Sequence, residues 1–196
     1  MLNRIYQKNY FDKRKKDDSA VFVEKPPFPK NCLVEITNAC NHACIFCASP
    51  KMKRKISYLS LDTFSNFINQ AKPLGLNEVG FYATGEPLMA KHIDLFIDIA
   101  KKGGIKRVYI TTNGALANLE KIKKLVSLGL DSIKFSINAA TKESYKLIHG
   151  YDDFDKVVQN VKSIYEWKNK NNIKLQLLGS FIYTAVTEKE IPIFSE

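Results

Sequence analysis

One stretch decides the fold of this chain: Leu33-Val34-Glu35-Ile36-Thr37-Asn38-Ala39-Cys40-Asn41-His42-Ala43-Cys44-Ile45-Phe46-Cys47. Its first residues form a short apolar run typical of a buried strand, and three cysteines spaced C-x3-C-x2-C follow at once. Three thiolates on one loop can hold three irons of a cubane cluster, although such clusters normally take four cysteines. The missing fourth ligand favours a cluster that binds a small molecule over one that only stores an electron.

Three further motifs follow later apolar runs. They are Thr84-Gly85-Glu86-Pro87, Thr111-Thr112-Asn113-Gly114 and Ser136-Ile137-Asn138. In parallel α/β barrels the reacting groups lie on loops at the carboxyl ends of the strands. All four motifs would therefore converge on one opening, called the mouth below.

Short β-rich runs alternate with amphipathic helical patterns along the chain. The strand candidates are Leu33–Thr37, Glu78–Tyr82, Arg107–Thr111, Ser132–Ile137 and Lys174–Tyr183. Four helices are predicted between them, with apolar stripes that begin at Leu61, Ile93, Leu119 and Phe154. Ser60 and Asn118 are of the type that caps helix starts, and Gly103-Gly104 would end the second helix. Such βα units predict a parallel sheet that right-handed crossovers wind into an open or closed barrel.

The cysteine spacing, the aromatic Phe46 before the last cysteine and the three strand-end motifs together resemble the radical S-adenosylmethionine (radical SAM) superfamily. Thr84-Gly85-Glu86-Pro87 is similar to the GGEP element of that family, with Thr84 in place of its first glycine. The resemblance implies an α/β fold, a partial (β/α)6 TIM-like barrel. About four and a half βα units are present, ending with a helix start at Glu188–Phe194, so we expect the last unit or units to be missing from a C-terminally truncated chain.

The resemblance also implies roles for individual residues. Cys40, Cys44 and Cys47 would bind the [4Fe–4S] cluster, and Gly85, Glu86 and Pro87 would contact the amino group of S-adenosylmethionine. Phe46 would pack beside the adenine, and Ser136 and Asn138 would hydrogen-bond the ribose or the carboxylate. Thr84 and Asn113 complete the predicted cofactor-binding set.

As a radical SAM enzyme core, the chain would cleave S-adenosylmethionine reductively to a 5′-deoxyadenosyl radical that abstracts hydrogen from an unknown substrate. The implied partners are an electron donor, such as flavodoxin or ferredoxin, and a small-molecule, sugar-nucleotide or peptide substrate. Phe28-Pro29, Glu35–Asn38 and Thr84–Leu88 most resemble the branch that often carries a C-terminal SPASM extension.

Composition sets outer limits on the function. No apolar run approaches the ~20 residues that cross a bilayer, and the N-terminus lacks a secretory signal. Three clustered cysteines favour a metal site in a reducing compartment, so we expect a cytoplasmic location. The net charge of +10 fits a lysine-rich surface better than a dedicated nucleic-acid binder. We divide the chain into a polar, basic arm (residues 1–26), which includes Lys13-Arg14-Lys15-Lys16, and a radical SAM core (residues 27–196).

Other interpretations stay open at this point. The cysteines could form a non-catalytic zinc or cluster module, with His42, His92 or His149 as a fourth ligand and the basic arm on nucleic acid. The chain could also be a truncated, inactive scaffold. The basic segment Lys51–Lys55 would either bind a phosphate-bearing substrate or be an exposed loop without such a role. Cys32 fits a small core residue.

Overall fold

The computed structural model describes residues 26–194, and its centre is a five-stranded parallel sheet. The strands are β1 (Asn31–Val34), β2 (Glu78–Phe81), β3 (Arg107–Thr112), β4 (Ser132–Ser136) and β5 (Gln176–Ser180). Each strand pairs with the next one in the chain, as a barrel built from successive βα units requires. The expected α/β fold is confirmed. The predicted arm lies outside the described residues, apart from Pro26.

Helices connect the strands. They are α1 (Leu61–Ala71), α2 (Ile93–Lys102), α3 (Leu119–Ser127), α4 (Lys142–His149), α5 (Phe154–Lys170) and the short α6 (Ile191–Phe194). The side chain of Ser60 accepts a hydrogen bond from the Thr63 amide, and that of Asn118 from the Lys121 amide, so both predicted caps are confirmed. Helix α2 ends before Gly103, as predicted. No helix among residues 26–194 is long and apolar enough to cross a membrane.

The two faces of the sheet differ in chemistry. One face packs against the helices through fully buried residues, among them Val79, Phe81, Val108, Ile110 and Ile133. The alternate residues of the same strands lie on the opposite side because successive side chains of a strand point to opposite faces. Tyr82, Tyr109, Thr111 and Lys134 belong to this second side, called the open face below, and all four are only partly buried.

Strand β1 covers Asn31–Val34 rather than the predicted Leu33–Thr37. The backbone after Val34 leaves β2 and pairs with a returning segment instead. The Leu59 amide donates to the Ile36 carbonyl over 2.9 Å, and Thr37 forms an antiparallel bridge with Tyr58. The apolar run therefore predicts a strand here but neither its bounds nor its burial, since Ile36 and Thr37 are buried whereas Leu33 is 50% exposed.

Two further differences concern the second half of the chain. Strand β5 spans Gln176–Ser180, which is shorter than the predicted Lys174–Tyr183. Helix α4 was not among the predicted helices. It begins after the Thr141 cap and ends at Gly150, whose φ of 72° is easy for glycine.

Candidate active site

The loop that carries the three predicted iron ligands is held by neighbouring backbone groups. The Ala43 and Ile45 amides donate to the carbonyls of His149 and Ile148, over 3.1 and 2.9 Å. The Glu86 amide donates to the Ala39 carbonyl over 2.8 Å. Helix α4 and the loop after β2 thus fix both sides of the loop.

The cysteine sulfurs lie close enough to influence each other. All four cysteines of the chain are free thiols. Burial, followed by the charges of Cys40 and Cys47, raises the pKa of Cys44 to about 12. Amides of His42 and Ser49 lie 3.5 and 3.4 Å from the sulfurs of Cys40 and Cys47, as donors to these atoms. Three thiols on one loop, two of them with such amide donors, fit a cationic cluster, whose charge would displace the Cys44 proton. The reduction potential of such a cluster depends on hydrogen bonds to its sulfurs.

Gly85 lies where only a glycine fits. A Cβ atom at this position would meet the carbonyl oxygens of Thr37 and Ala39, the latter at 2.8 Å. The sequence led us to expect close approach to a bound cofactor, and the close approach seen here is to the backbone that leads into the cysteine loop. Gly85 therefore lets the loop after β2 contact the cysteine loop directly.

Glu86 is buried, and its carboxylate is fully engaged by the protein. It accepts hydrogen bonds from the Leu88 amide (3.0 Å), the Thr112 hydroxyl (2.7 Å) and the Asn113 amide (2.8 Å). Burial raises the pKa of this carboxyl, and the three donors oppose that shift. The side chain links the loop after β2 to the end of β3, and it therefore fixes the position of these two segments relative to each other at the mouth.

The end of β3 reaches the cysteine loop through Asn113. Its side-chain amide donates to the Asn41 oxygen over 2.9 Å, and its own oxygen accepts from the Ala115 amide. Asn113 thus joins two of the predicted motifs.

The end of β4 is held in a similar way. Asn138 is fully buried and has a φ of 58°. Its side chain accepts from the Ile182 amide (3.1 Å) and donates to the Ser136 hydroxyl (3.0 Å). Both predicted ribose-contacting residues therefore contact each other, and Asn138 also ties the chain beyond β5 to the mouth.

Arg54, from the basic segment Lys51–Lys55, lies at the mouth. It forms an ion pair with Glu35 and donates to the Thr84 hydroxyl over 3.1 Å. The Thr84 amide donates to the Glu35 carboxylate, whose pKa is lowered because these hydrogen bonds outweigh the effect of burial. Lys51, Lys53 and Lys55 are exposed.

Two of the three histidines considered as a zinc ligand from the sequence, His42 and His149, lie beside Cys44. His149 Nδ1 is 3.3 Å from the Cys44 sulfur and 3.3 Å from His42 Nδ1. Burial lowers the pKa of both rings, that of His149 to about 4. His92, the third zinc-ligand candidate, is exposed at the start of α2. Phe46 is 42% exposed, and its ring lies edge-on to His149 with centroids 6.3 Å apart.

The open face offers a charged group beneath the mouth. The Lys134 ammonium lies 5.5 Å from the centre of the Tyr82 ring, and no carboxylate among residues 26–194 pairs with it. The hydroxyl of Thr111, which pairs with Lys134 in the sheet, is buried and has no hydrogen-bond partner within this range. An ammonium on the open face without a carboxylate partner suits an anionic group.

Comparisons with known proteins agree with this arrangement. The family model of the radical SAM superfamily matches residues 34–179. Uncharacterized protein MJ0804 of Methanocaldococcus jannaschii is 30% identical over 164 residues, which cover 83% of this chain and 48% of that protein. GTP 3′,8-cyclase of Desulforamulus reducens is 27% identical over 171 residues, covering 82% of this chain and 52% of the cyclase.

A solved structure shares the fold. Streptococcus suis SuiB, bound to its precursor peptide SuiA, superposes with a TM-score of 0.72 at 18% identity, covering 100% of this chain and 42% of SuiB. The chain spans about half the length of the curated relatives it matches.

Proposed function

Because the chain belongs to the radical SAM superfamily, we propose that Cys40, Cys44 and Cys47 hold a [4Fe–4S] cluster and that the neighbouring mouth binds S-adenosylmethionine. A cluster held there would supply the electron for reductive cleavage of S-adenosylmethionine and, through it, radical chemistry on a substrate. The observation that carries the proposal is the cysteine loop itself. Three thiols lie on one loop at the mouth of a parallel sheet, two of them with amide donors at sulfur.

The residues of the other motifs would shape this site rather than react. Gly85 and Pro87 bring the loop after β2 against the cysteine loop, beside the position we propose for the methionine amino group. Glu86 and Asn113 hold that loop and the end of β3 at a fixed distance from the cysteines. Phe46 presents an exposed ring on which an adenine could stack.

We propose that the substrate lies along the open face and carries an anionic group that contacts Lys134. In support, Lys134 precedes the end of β4 by two residues, which places an anion below the mouth and the rest of the substrate near the radical. The small-molecule, sugar-nucleotide and peptide substrates expected from the sequence include many anions. One relative is named GTP 3′,8-cyclase, and GTP is an anion of the kind that an ammonium at this position would attract.

A titration with inorganic pyrophosphate tests the charge of this subsite. Lys134→Met should weaken binding at least tenfold, which corresponds to about 1.4 kcal/mol. Lys106→Met is the matched control, because Lys106 is exposed at the opposite end of the sheet and should leave binding unchanged. Equal weakening by both substitutions, or by neither, would remove Lys134 from the proposal.

A one-electron donor is part of the same proposal, because each turnover consumes an electron that must come from outside the chain. Flavodoxin and ferredoxin are the candidate donors. Clustered cysteines at a metal site suit a reducing compartment, so we include a cytoplasmic location in the proposal.

The decisive experiment is anaerobic iron–sulfur reconstitution followed by electron paramagnetic resonance of the dithionite-reduced protein. We expect a [4Fe–4S] signal that changes when S-adenosylmethionine is added, because the cofactor would bind the iron that lacks a cysteine. Stoichiometric zinc without a cluster would contradict the proposal. A cluster whose signal ignores S-adenosylmethionine would indicate an inactive scaffold.

Cysteine variants identify the ligands in the same experiment. Cys40→Ala and Cys47→Ala should lose the cluster. Cys32→Ala is the control, because Cys32 lies in β1 and packs against the core. Loss of the cluster in Cys32→Ala alone would mean that the loop has been wrongly assigned.

A further inference from the structure

A second arrangement of ligand atoms overlaps the cysteine loop. One ligand atom each of His42, Cys44 and His149 lies within 4.8 Å of the other two, and we call these residues the His–Cys–His triad. The side chains of both histidines are buried, whereas Cys44 is partly exposed. The triad includes only one of the three proposed iron ligands, so it is a different donor set from the cluster site.

The hydrogen bonds of the two rings define where their lone pairs point. His149 Nε2 lies 2.7 Å from the Ile137 carbonyl oxygen, which can only accept, so this nitrogen carries the proton. His42 Nε2 lies 3.2 Å from the Asp153 carboxylate and is protonated for the same reason. A neutral imidazole has one N–H, so both Nδ1 atoms present lone pairs.

These lone pairs face each other inside the protein. The two Nδ1 atoms are 3.3 Å apart, and neither ring has a proton to place between them. The Cys44 thiol can donate only one proton, which its 3.3 Å contact directs to His149. An acceptor that faces an acceptor in a buried site is unfavourable, and a cation between them would turn the repulsion into ligation.

The spacing matches that of a tetrahedral metal site. Two nitrogens about 2.0–2.1 Å from one zinc, at the tetrahedral angle, lie about 3.3–3.4 Å apart, and a nitrogen and a thiolate lie about 3.6 Å apart. The distance between the His42 and His149 nitrogens and that between the His149 nitrogen and the Cys44 sulfur are both 3.3 Å, and the third pair, His42 and Cys44, lies within 4.8 Å. Small side-chain shifts would therefore suffice to admit the ion.

The surroundings also resemble those of a metal site. Metal-binding histidines usually donate their other ring N–H to a carboxylate or a carbonyl, which orients the ring. Asp153 and the Ile137 carbonyl hold these positions. In addition, Tyr145 stacks on His149 with ring centroids 4.2 Å apart, and Tyr151 stacks on His42 at 5.6 Å.

We infer that the chain without its cluster binds one tetrahedral divalent ion of the zinc class at His42, Cys44 and His149. The Cys44 thiol loses its proton to solvent, the thiolate and both Nδ1 atoms bind the ion, and no electron is transferred. Because Cys44 is common to both donor sets, this ion and the [4Fe–4S] cluster exclude each other. The exclusion, but not the zinc-class site, rests on the proposed function.

Cobalt(II) titration of the metal-free chain tests the site, since cobalt reports tetrahedral thiolate ligation through its visible and charge-transfer absorption. The discriminating protein is the double variant Cys40→Ala, Cys47→Ala, which retains the triad but loses the other cluster thiols. We expect it to bind one cobalt ion with tetrahedral bands that zinc abolishes. His149→Ala in that background should weaken binding at least tenfold, and Cys44→Ser should remove the charge-transfer band.

The opposite results are equally clear. If the double variant gives no tetrahedral cobalt spectrum while its circular dichroism stays that of the parent, the triad is not a metal site. Cobalt binding that His149→Ala leaves unchanged would likewise overturn the proposal. His92→Ala serves as the control, because His92 is exposed and should have no effect.

Competition with the cluster is measured separately on the unaltered chain. Zinc-loaded protein should take up less iron during reconstitution, and a chelator should restore it. A full cluster with the zinc retained would refute the exclusion. A chain that binds cobalt at the triad but never forms a cluster would contradict the proposed function and leave the zinc-class site standing.

Discussion

The cysteine loop and the loops after β2 and β4 all carry family motifs, yet they use their side chains differently. The three cysteines retain free thiols, and only backbone amides bond to the sulfurs of Cys40 and Cys47. Glu86 and Asn138, in contrast, direct every side-chain oxygen at a donor within the protein.

This difference separates two kinds of motif residue. A side chain with free ligand atoms is available to a metal or cofactor, whereas a buried side chain with all its hydrogen bonds made within the chain holds the backbone in place. Removing the first kind should abolish the cluster at little cost in stability. Removing the second should destabilise the fold before any chemistry is measured.

The largest effect is expected for Glu86→Ala. This substitution leaves the Leu88 amide, the Thr112 hydroxyl and the Asn113 amide buried without their acceptor. Each unsatisfied donor costs about 1–3 kcal/mol, so we expect the free energy of unfolding to fall by about 3–5 kcal/mol, measured by urea denaturation.

The matched control is Cys47→Ala, whose partly exposed sulfur accepts one long contact from Ser49. We expect this substitution to lower the free energy of unfolding by about 1 kcal/mol or less in the same assay. If the two substitutions cost the same, the distinction between ligand and support residues would be wrong for the loop after β2.

A smaller effect is expected at Asn138, and it can be divided into two parts. Asn138→Ala removes the bonds to Ile182 and Ser136 and places a Cβ-bearing residue without a helping side chain at φ 58°. Asn138→Gly removes the same bonds without the backbone strain. We expect losses of about 2 kcal/mol for alanine and about 1 kcal/mol for glycine in chemical denaturation.

Asn172 provides the comparison, because it has a φ of 52° but is exposed. There the alanine variant should lose about 1 kcal/mol and the glycine variant close to nothing. A stability loss from Asn172→Gly as large as that from Asn138→Gly would show that the Asn138 side chain is not a support.

Local sequence signals were sufficient for much of the fold. Ser60 and Asn118 were identified as helix caps from their residue type and position, and both form the capping hydrogen bond. The order of strands and helices followed from the alternation of apolar periods. These features depend on residues near each other in the chain, which is why the sequence reveals them.

Features that depend on distant partners were missed. Helix α4 is only eight residues long, and two of its four buried residues, Ser144 and His149, are polar, so its sequence offers few apolar positions from which to predict it. The contact of His149 with Cys44 joins residues that are 105 positions apart. The cysteine spacing predicts three iron ligands, whereas only the fold shows that the rings of His42 and His149 lie beside Cys44.

The carboxylate of Glu190 also stabilises the loop after β4, and we expect the size of this stabilisation to depend on pH. Glu190 accepts hydrogen bonds from the Ala140 amide (2.7 Å) and from the hydroxyls of Ser144 (2.8 Å) and Thr141 (3.0 Å). Burial alone would raise the pKa of Glu190, but these hydrogen bonds outweigh it and lower the pKa below its usual value of 4.5.

A carboxyl with a lowered folded-state pKa stabilises the fold above its unfolded pKa, and this contribution disappears as the pH falls through the folded value. We therefore expect Glu190→Gln to reduce stability at pH 7 and to have a progressively smaller effect below about pH 4.5. Urea denaturation of both proteins across this range measures the difference. Glu188→Gln is the control, because Glu188 is exposed and, among residues 26–194, its carboxylate accepts a side-chain hydrogen bond from Tyr183 alone. A Glu190→Gln deficit that stays constant with pH would show that the amide fails for steric reasons, and that the charge of Glu190 does not hold the loop after β4.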